Sequence, residues 1–412
     1  MEKKQQVIDK VILFYLLAFL FIGLFLQTPG ELMEGLKNII ASSGILVSDF
    51  VVIGGIGPTF VNGALVGLIG FVLLKVNHVP MVGASIAAIF TMMGFAFFGK
   101  NFFNILPVIA GVYLYSRYTR KSFKAYIYPA LYGTALAPLV SEVAMQMSLG
   151  IVGGILIGVI AGMIIPPLAT HLLSAHEGHN LYNIGFTAGF VGFLLTNVLK
   201  IFSFDPQPTM VWGTTYNTSL RWVMIFVVVS LIAIGFFLND KSFNGYTAIF
   251  KESGVLGTDF TAIMGPGNTL INMGLVGIIG MLYIEVVNGD YNGATLGGLF
   301  TMIGFGAFGK QPKNIYPLML GVFLATYFST YNLNDPGPLL AGLFVTTIAP
   351  LAGHFGPIIG VMAGFAHFSV VNITGAFHGG LNLYNNGFTA GLIATIFIGV
   401  INGYREENRG AK

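Results

Sequence analysis

The chain has no cysteine and very little charge. The first absence excludes disulfides and thiol chemistry, and it says nothing about the compartment. Lys and Arg number 19 and Asp and Glu 16, so 8% of 412 residues are charged, against roughly 25% in an ordinary soluble domain. A soluble fold of this length could not cover its surface with so few charges. A soluble domain, a disordered chain, a nucleic-acid platform and a collagen-like rod are therefore excluded. The long unbroken apolar runs exclude a transmembrane barrel, whose strands alternate apolar and polar residues. Also lacking are a P-loop, a dinucleotide-binding glycine fingerprint, an HExxH pair and any extended hydrophilic segment. Neither an enzymatic activity nor a cofactor or metal is expected. What remains, at 55% hydrophobic residues, is an all-α polytopic membrane protein.

The chain contains one unit twice. Residues 90–100, FTMMGFAFFGK, match 300–310, FTMIGFGAFGK, at 8 of 11 positions. The offset of 210 also pairs Asp49 with Asp259, Asn62 with Asn272, Asn104 with Asn314 and Pro107 with Pro317. Farther on the offset becomes 202, and NLYNIGFTAG (180–189) matches NLYNNGFTAG (382–391) at 9 of 10 positions. Two repeats follow, 1–205 and 206–412.

A membrane helix needs about 20 apolar residues. Candidates are 11–28, 60–77, 81–98, 101–116, 125–145, 149–168 and 183–200, then 220–238, 268–285, 291–308, 314–330, 337–353, 355–372 and 385–403. Seven segments per half is odd, and an odd number inverts the second copy. A re-entrant half-helix pair in each half would leave five crossings, also odd. The distribution of positive charge agrees. With the Lys3, Lys4 and Lys10 end in the cytoplasm, the loop bearing Arg117, Arg120, Lys121 and Lys124 falls inside. Its counterpart, YNLNDPGP (331–338), has no Lys or Arg and falls outside. Lys310 and Lys313 are placed in an inside loop, as is the tail with Arg405, Arg409 and Lys412. The expected location is a bacterial plasma membrane, with both termini cytoplasmic.

Recognition chemistry is expected where helices break. GGIGPTFVNGALVG (54–67) and MGPGNTLINMGLVG (264–277) place Gly, Pro and Asn before an apolar helix, which is expected to begin near Asn62 or Asn272. Broken backbone at membrane depth must be buried in protein or line a wet cavity. Candidate solute-binding residues are Asn62, Asn272, Asn104, Asn314, Asn183 and Asn385, with Thr91, Thr301 and the walls Phe95 and Phe305. Candidates for proton or ion coupling are Glu142, His354, Asp49, Asp259, His176 and His378. The spacing of His171, His176 and His179 fits no metal motif.

The duplicated unit as a whole resembles a bacterial membrane protein family known as domain of unknown function 1576, which often occurs twice per chain. That resemblance implies no activity. A shorter stretch is similar to urea transporters: Asn62-Gly63-Ala64-Leu65-Val66-Gly67 leading into a helix, then Leu106-Pro107. It implies inverted repeats with a narrow pore between the halves. The second half departs from that pattern at Met273 and Tyr316, and Ile109, Ala110 and Gly111 stand where the family has Thr. The expected function is a transporter or channel for a small polar, neutral solute, bound where the repeats meet. The alternatives are a proton- or sodium-coupled carrier of an organic solute or anion, and a membrane-embedded lipid-handling protein or enzyme. Expected partners are the lipid bilayer and a small solute, with no nucleic acid. A homo-oligomer, dimer or trimer, is left open.

Overall fold

A computed structural model describes residues 2–410, with side chains over 6–405. The charges of Lys3, Lys4, Arg409 and Lys412, used above for orientation, lie outside the described side chains. The described residues form an all-helical bundle whose only sheet-like contacts are isolated bridges. Its first half holds α1 (Glu2–Leu26), α2 (Pro29–Ile40), α3 (Phe50–Ile53), α4 (Ile56–Val76), α5 (Gly83–Phe95), α6 (Leu106–Tyr118), α7 (Ile127–Gly133), α8 (Ala137–Gln146), α9 (Gly150–His176) and α10 (Asn183–Lys200). The second holds α11 (Asn217–Leu238), α12 (Phe260–Val286), α13 (Gly293–Phe305), α14 (Pro312–Tyr327), α15 (Pro336–Phe344), α16 (Ala349–Phe355), α17 (Pro357–Phe377) and α18 (Asn385–Gly410).

Eight helical stretches among the described residues are long and apolar enough to cross a membrane. Their outward faces carry large apolar side chains, such as Phe21, Val72, Ile151, Trp222 and Ile358, all more than half exposed. In water such a surface would aggregate; in lipid it is the expected boundary. The chain is a multi-pass membrane protein in contact with a bilayer.

Where the sequence led us to expect breaks, the backbone breaks. Gly55 at φ 90° separates α3 from α4, and its equivalent Gly265 at φ 75° kinks α12. Only glycine adopts that conformation without strain. The helix beyond the break starts at Ile56, so Asn62 sits inside α4 rather than at its beginning. Asn272 is likewise inside α12. Helices α5 and α13 have 13 residues each, about 20 Å of rise, too short to cross a hydrocarbon core of about 30 Å. The segments expected over 125–145 and 337–353 are each two short helices joined by a tight turn at Thr134–Leu136 and Val345–Ile348. One helix was not anticipated. α2 is amphipathic, with Thr28 and Glu31 forming a reciprocal cap, and the second half has only the short turn Tyr246–Lys251 there.

Equivalent helices run in opposite directions where they meet. At the α5–α13 crossing, Gly94 lies against Gly297 and Gly304 against Ala87, while Phe90 meets its own equivalent Phe300 with ring centroids 6.3 Å apart. At the α10–α18 crossing, Gly185 faces its equivalent Gly387, Gly189 takes the ring of Phe388, and Gly391 that of Phe186. An axis that reverses helices spanning a membrane lies in the membrane plane, so the two halves are inverted repeats.

The halves also hold each other. Asp49 accepts from the Gly293 N–H at the start of α13 (3.2 Å), and Asp259 accepts from the Gly83 N–H at the start of α5 (3.1 Å). Each carboxylate sits at the positive end of a helix from the other copy.

Candidate solute site

A cavity of about 510 Å³ lies where α5, α13 and α10 converge. Three pairs of equivalent residues line it: Thr91 with Thr301, Phe95 with Phe305, and Tyr182 with Tyr384. It therefore straddles the axis relating the two halves. Its volume is that of a small-molecule site. Asn183 lines it as well. The rest of the wall comes from α7, α9 and the loop at Leu256 and Gly257. The mouth is rimmed by exposed Ala125, Thr170, Leu173 and Gly257. Ala125 follows directly on the loop carrying Arg117, Arg120, Lys121 and Lys124, so the mouth lies on the face of that basic loop.

Directly behind the cavity's tyrosines are two buried lysines. Lys100 Nζ donates to Tyr384 Oη at 2.5 Å and to Thr134 Oγ1 at 2.8 Å. Lys310 Nζ donates to Tyr182 Oη at 2.5 Å and to Thr346 Oγ1 at 2.7 Å. Each lysine thus reaches a tyrosine of the opposite half. Each ammonium also lies near two aromatic rings, Phe95 and Tyr384 for Lys100, Phe305 and Tyr182 for Lys310. Both side chains are fully buried, and the ion pairs found among described residues, Lys75–Asp9 and Arg221–Glu285, involve neither. An unpaired ammonium this deep costs several kcal/mol. The helix breaks explain how the chain places them: Lys100 and Lys310 follow the ends of α5 and α13, and Thr134 and Thr346 lie in the tight turns inside the two split helices.

These lysines change the orientation argument as well. Lys310 belongs to the buried centre and contributes nothing to loop charge. The signal was present in sequence: a lysine ending the same apolar block in both copies.

Phe95, Phe305, Thr91, Thr301 and Asn183 meet at the cavity. The asparagines of the breaks do not line it. Asn62 Nδ2 donates to the Ala96 and Lys100 carbonyls (2.7 and 2.8 Å), and Asn272 Nδ2 to those of Gly306 and Lys310 (2.6 and 2.8 Å). They clamp the turns that present the lysines. Asn104 and Asn314 serve the same turns, donating to the Gly99 and Gly309 carbonyls at 3.1 and 2.9 Å.

The histidines are spread rather than clustered. The Asn180 N–H donates to His176 Nδ1, so His176 carries its proton on Nε2 and donates it to Asn183 Oδ1 at 3.0 Å. His378 repeats this with Asn382 and Asn385, and Asn385 lies outside the cavity lining. His354 Nδ1 is 2.9 Å from His179 Nε2 across the halves. Glu142 bonds with Gln146. Among the described residues no three His, Asp or Glu side chains gather as a metal site.

With this geometry in place, comparison with known proteins adds one finding. A family described as "Protein of unknown function (DUF1576)" matches residues 28–201 and 238–403. The chain belongs to this family. The two matched segments fall one in each half, as the duplication requires. No curated protein matches the chain, and no solved structure does.

Proposed function

We propose that the protein moves a small polar solute across a bacterial plasma membrane, binding it in the cavity between the inverted halves without chemical change. One observation carries this reading: the cavity is built from equivalent residues of both halves and is reached from one face. A site on the axis of inverted repeats is the arrangement by which one half can rock against the other and expose the same solute to either side. With the basic loop in the cytoplasm, the mouth of this conformer faces inward.

The test is flux of a panel of small solutes in proteoliposomes, with Thr91→Phe and Thr301→Phe as cavity-filling variants that keep the clamps intact. The expected result is a solute whose flux falls about tenfold or more in both variants. Flux unchanged by either variant would place the path elsewhere.

A further inference from the structure

We infer that the solute is an organic monoanion, a carboxylate on an apolar body, whose head is received by the Tyr182 and Tyr384 hydroxyls in front of Lys100 and Lys310. This rests on the cavity being the solute site. Three independent features of the cavity lead to it.

The first is charge. Among the described residues the amines of Lys100 and Lys310 lie behind the wall with no carboxylate partner, and no Asp or Glu lines the cavity. A cationic solute would be repelled, and an anion would supply the missing countercharge. The second is proton direction. Each lysine donates to its tyrosine oxygen, and a charged lysine can only donate, so with the amines charged the tyrosine O–H protons point elsewhere. Among the described residues Tyr384 donates to no protein group, and it lines the cavity. Near Tyr182, the Thr346 hydroxyl gives its proton to the Leu343 carbonyl and accepts from Lys310, with one lone pair left for Tyr182. Thr91 lines the cavity, and among the described residues its buried hydroxyl has no partner, whereas its equivalent Thr301 donates to the Gly297 carbonyl at 2.7 Å. The cavity thus offers the Tyr384 hydroxyl as a donor and presents no carboxylate acceptor. The third is the remaining surface. Phe95, Phe305, Phe308 and Leu181 make most of it apolar, which suits a hydrocarbon or aromatic body and not a bare inorganic ion.

The test is calorimetric titration of the purified full chain with benzoate and hexanoate against their neutral isosteres benzamide and hexanamide. The expected result is binding of at least one acid, about tenfold or more tighter than its amide. Tyr182→Phe and Tyr384→Phe, which keep the rings, should each weaken acid binding by about tenfold and leave amide binding unchanged. Lys100→Met and Lys310→Met should abolish acid binding; if these fail to fold, the tyrosine variants decide alone. Amides binding as well as acids would overturn the anion assignment and leave the cavity as a solute site. Binding of neither acid would also overturn it, and the Thr91→Phe flux measurement then decides separately whether the cavity carries solute.

Discussion

Residues 45–48 and 255–258 are the same stretch of the repeat, at the same offset of 210, and they lie on opposite faces of the bundle. Residues 255–258 rim the mouth, with Gly257 exposed and Leu256 on the cavity wall. Ile45, Val47 and Ser48 are buried. What covers them is the connection between the two halves. The Val47 N–H donates to the Thr209 carbonyl (2.7 Å), the Val211 N–H to the Val47 carbonyl (2.9 Å), and the Asp49 N–H to the Val211 carbonyl (3.2 Å). The tie on the open face is slighter, one bond from the Leu256 N–H to the Gly178 carbonyl. The second difference is in the split helices. Within the split helices the offset is 212, as the matching bonds Thr134 to the Leu131 carbonyl and Thr346 to the Leu343 carbonyl show, and Tyr128 of α7 lines the cavity whereas its equivalent Leu340 of α15 is buried. Duplication makes the halves equivalent, but a connecting segment exists only once. It therefore closes one face and leaves the other free.

The largest effect is expected where the two faces should not differ. The α6–α9 and α14–α17 pairs cross on glycine, and a Cβ on Gly162 or on its equivalent Gly364 would lie 2.2 Å from the carbonyl oxygen of Val108 or Leu318. Gly162→Leu and Gly364→Leu should both abolish monodisperse protein by size exclusion, since overpacking that reaches backbone costs about 3 kcal/mol or more. A tolerated leucine at either site would show that the two scaffolds are not equivalent.

Next comes the carboxylate pair. Asp49, beside the closed face, accepts from the N–H groups of Val51, Gly213 and Gly293. Asp259, beside the open face, accepts from the Thr261 and Gly83 N–H groups and the Thr261 hydroxyl. Only Asp49 ties in the connection between the halves, through Gly213. Each carboxylate accepts three hydrogen bonds, but Asp49 is fully buried and holds the connection, so Asp49→Ala should lower the thermal midpoint more than Asp259→Ala. Equal shifts would remove the connection from the explanation. The smallest effect is expected for Lys124→Ala. Its Nζ donates to the His78 carbonyl from an exposed position on the open face, and the change in stability should stay within about 0.5 kcal/mol.

Much of the architecture was readable in residue order, because the duplication left closely similar blocks in both halves; the count of seven segments per half was not, since eight stretches among the described residues are long and apolar enough to cross. The broken backbone at Gly55 and Gly265 was legible for a physical reason: Gly and Pro punctuate helices. The direction in which a polar side chain points was not legible. Asn62 and Asn272 have the donors a solute would need, and the same donors serve backbone carbonyls when a turn folds against them. Asn183 and Phe95 do face the cavity, yet nothing in their neighbours separates them from Asn385, which does not. Lys100 and Lys310 were missed as site residues because a low charge count draws attention to helix ends. Their partners, Tyr182 and Tyr384, come from the opposite copy, and no spacing within one copy could pair them.

The most direct test of a one-sided cavity uses the absence of native cysteine. Tyr128→Cys and Leu340→Cys, made singly in proteoliposomes, would be labelled with a membrane-impermeant maleimide supplied to both sides. The account predicts that Tyr128→Cys reacts about tenfold faster or more, as expected for a thiol at a water-filled mouth against one buried in protein. Equal rates at the two equivalent positions, or faster labelling of Leu340→Cys, would contradict it.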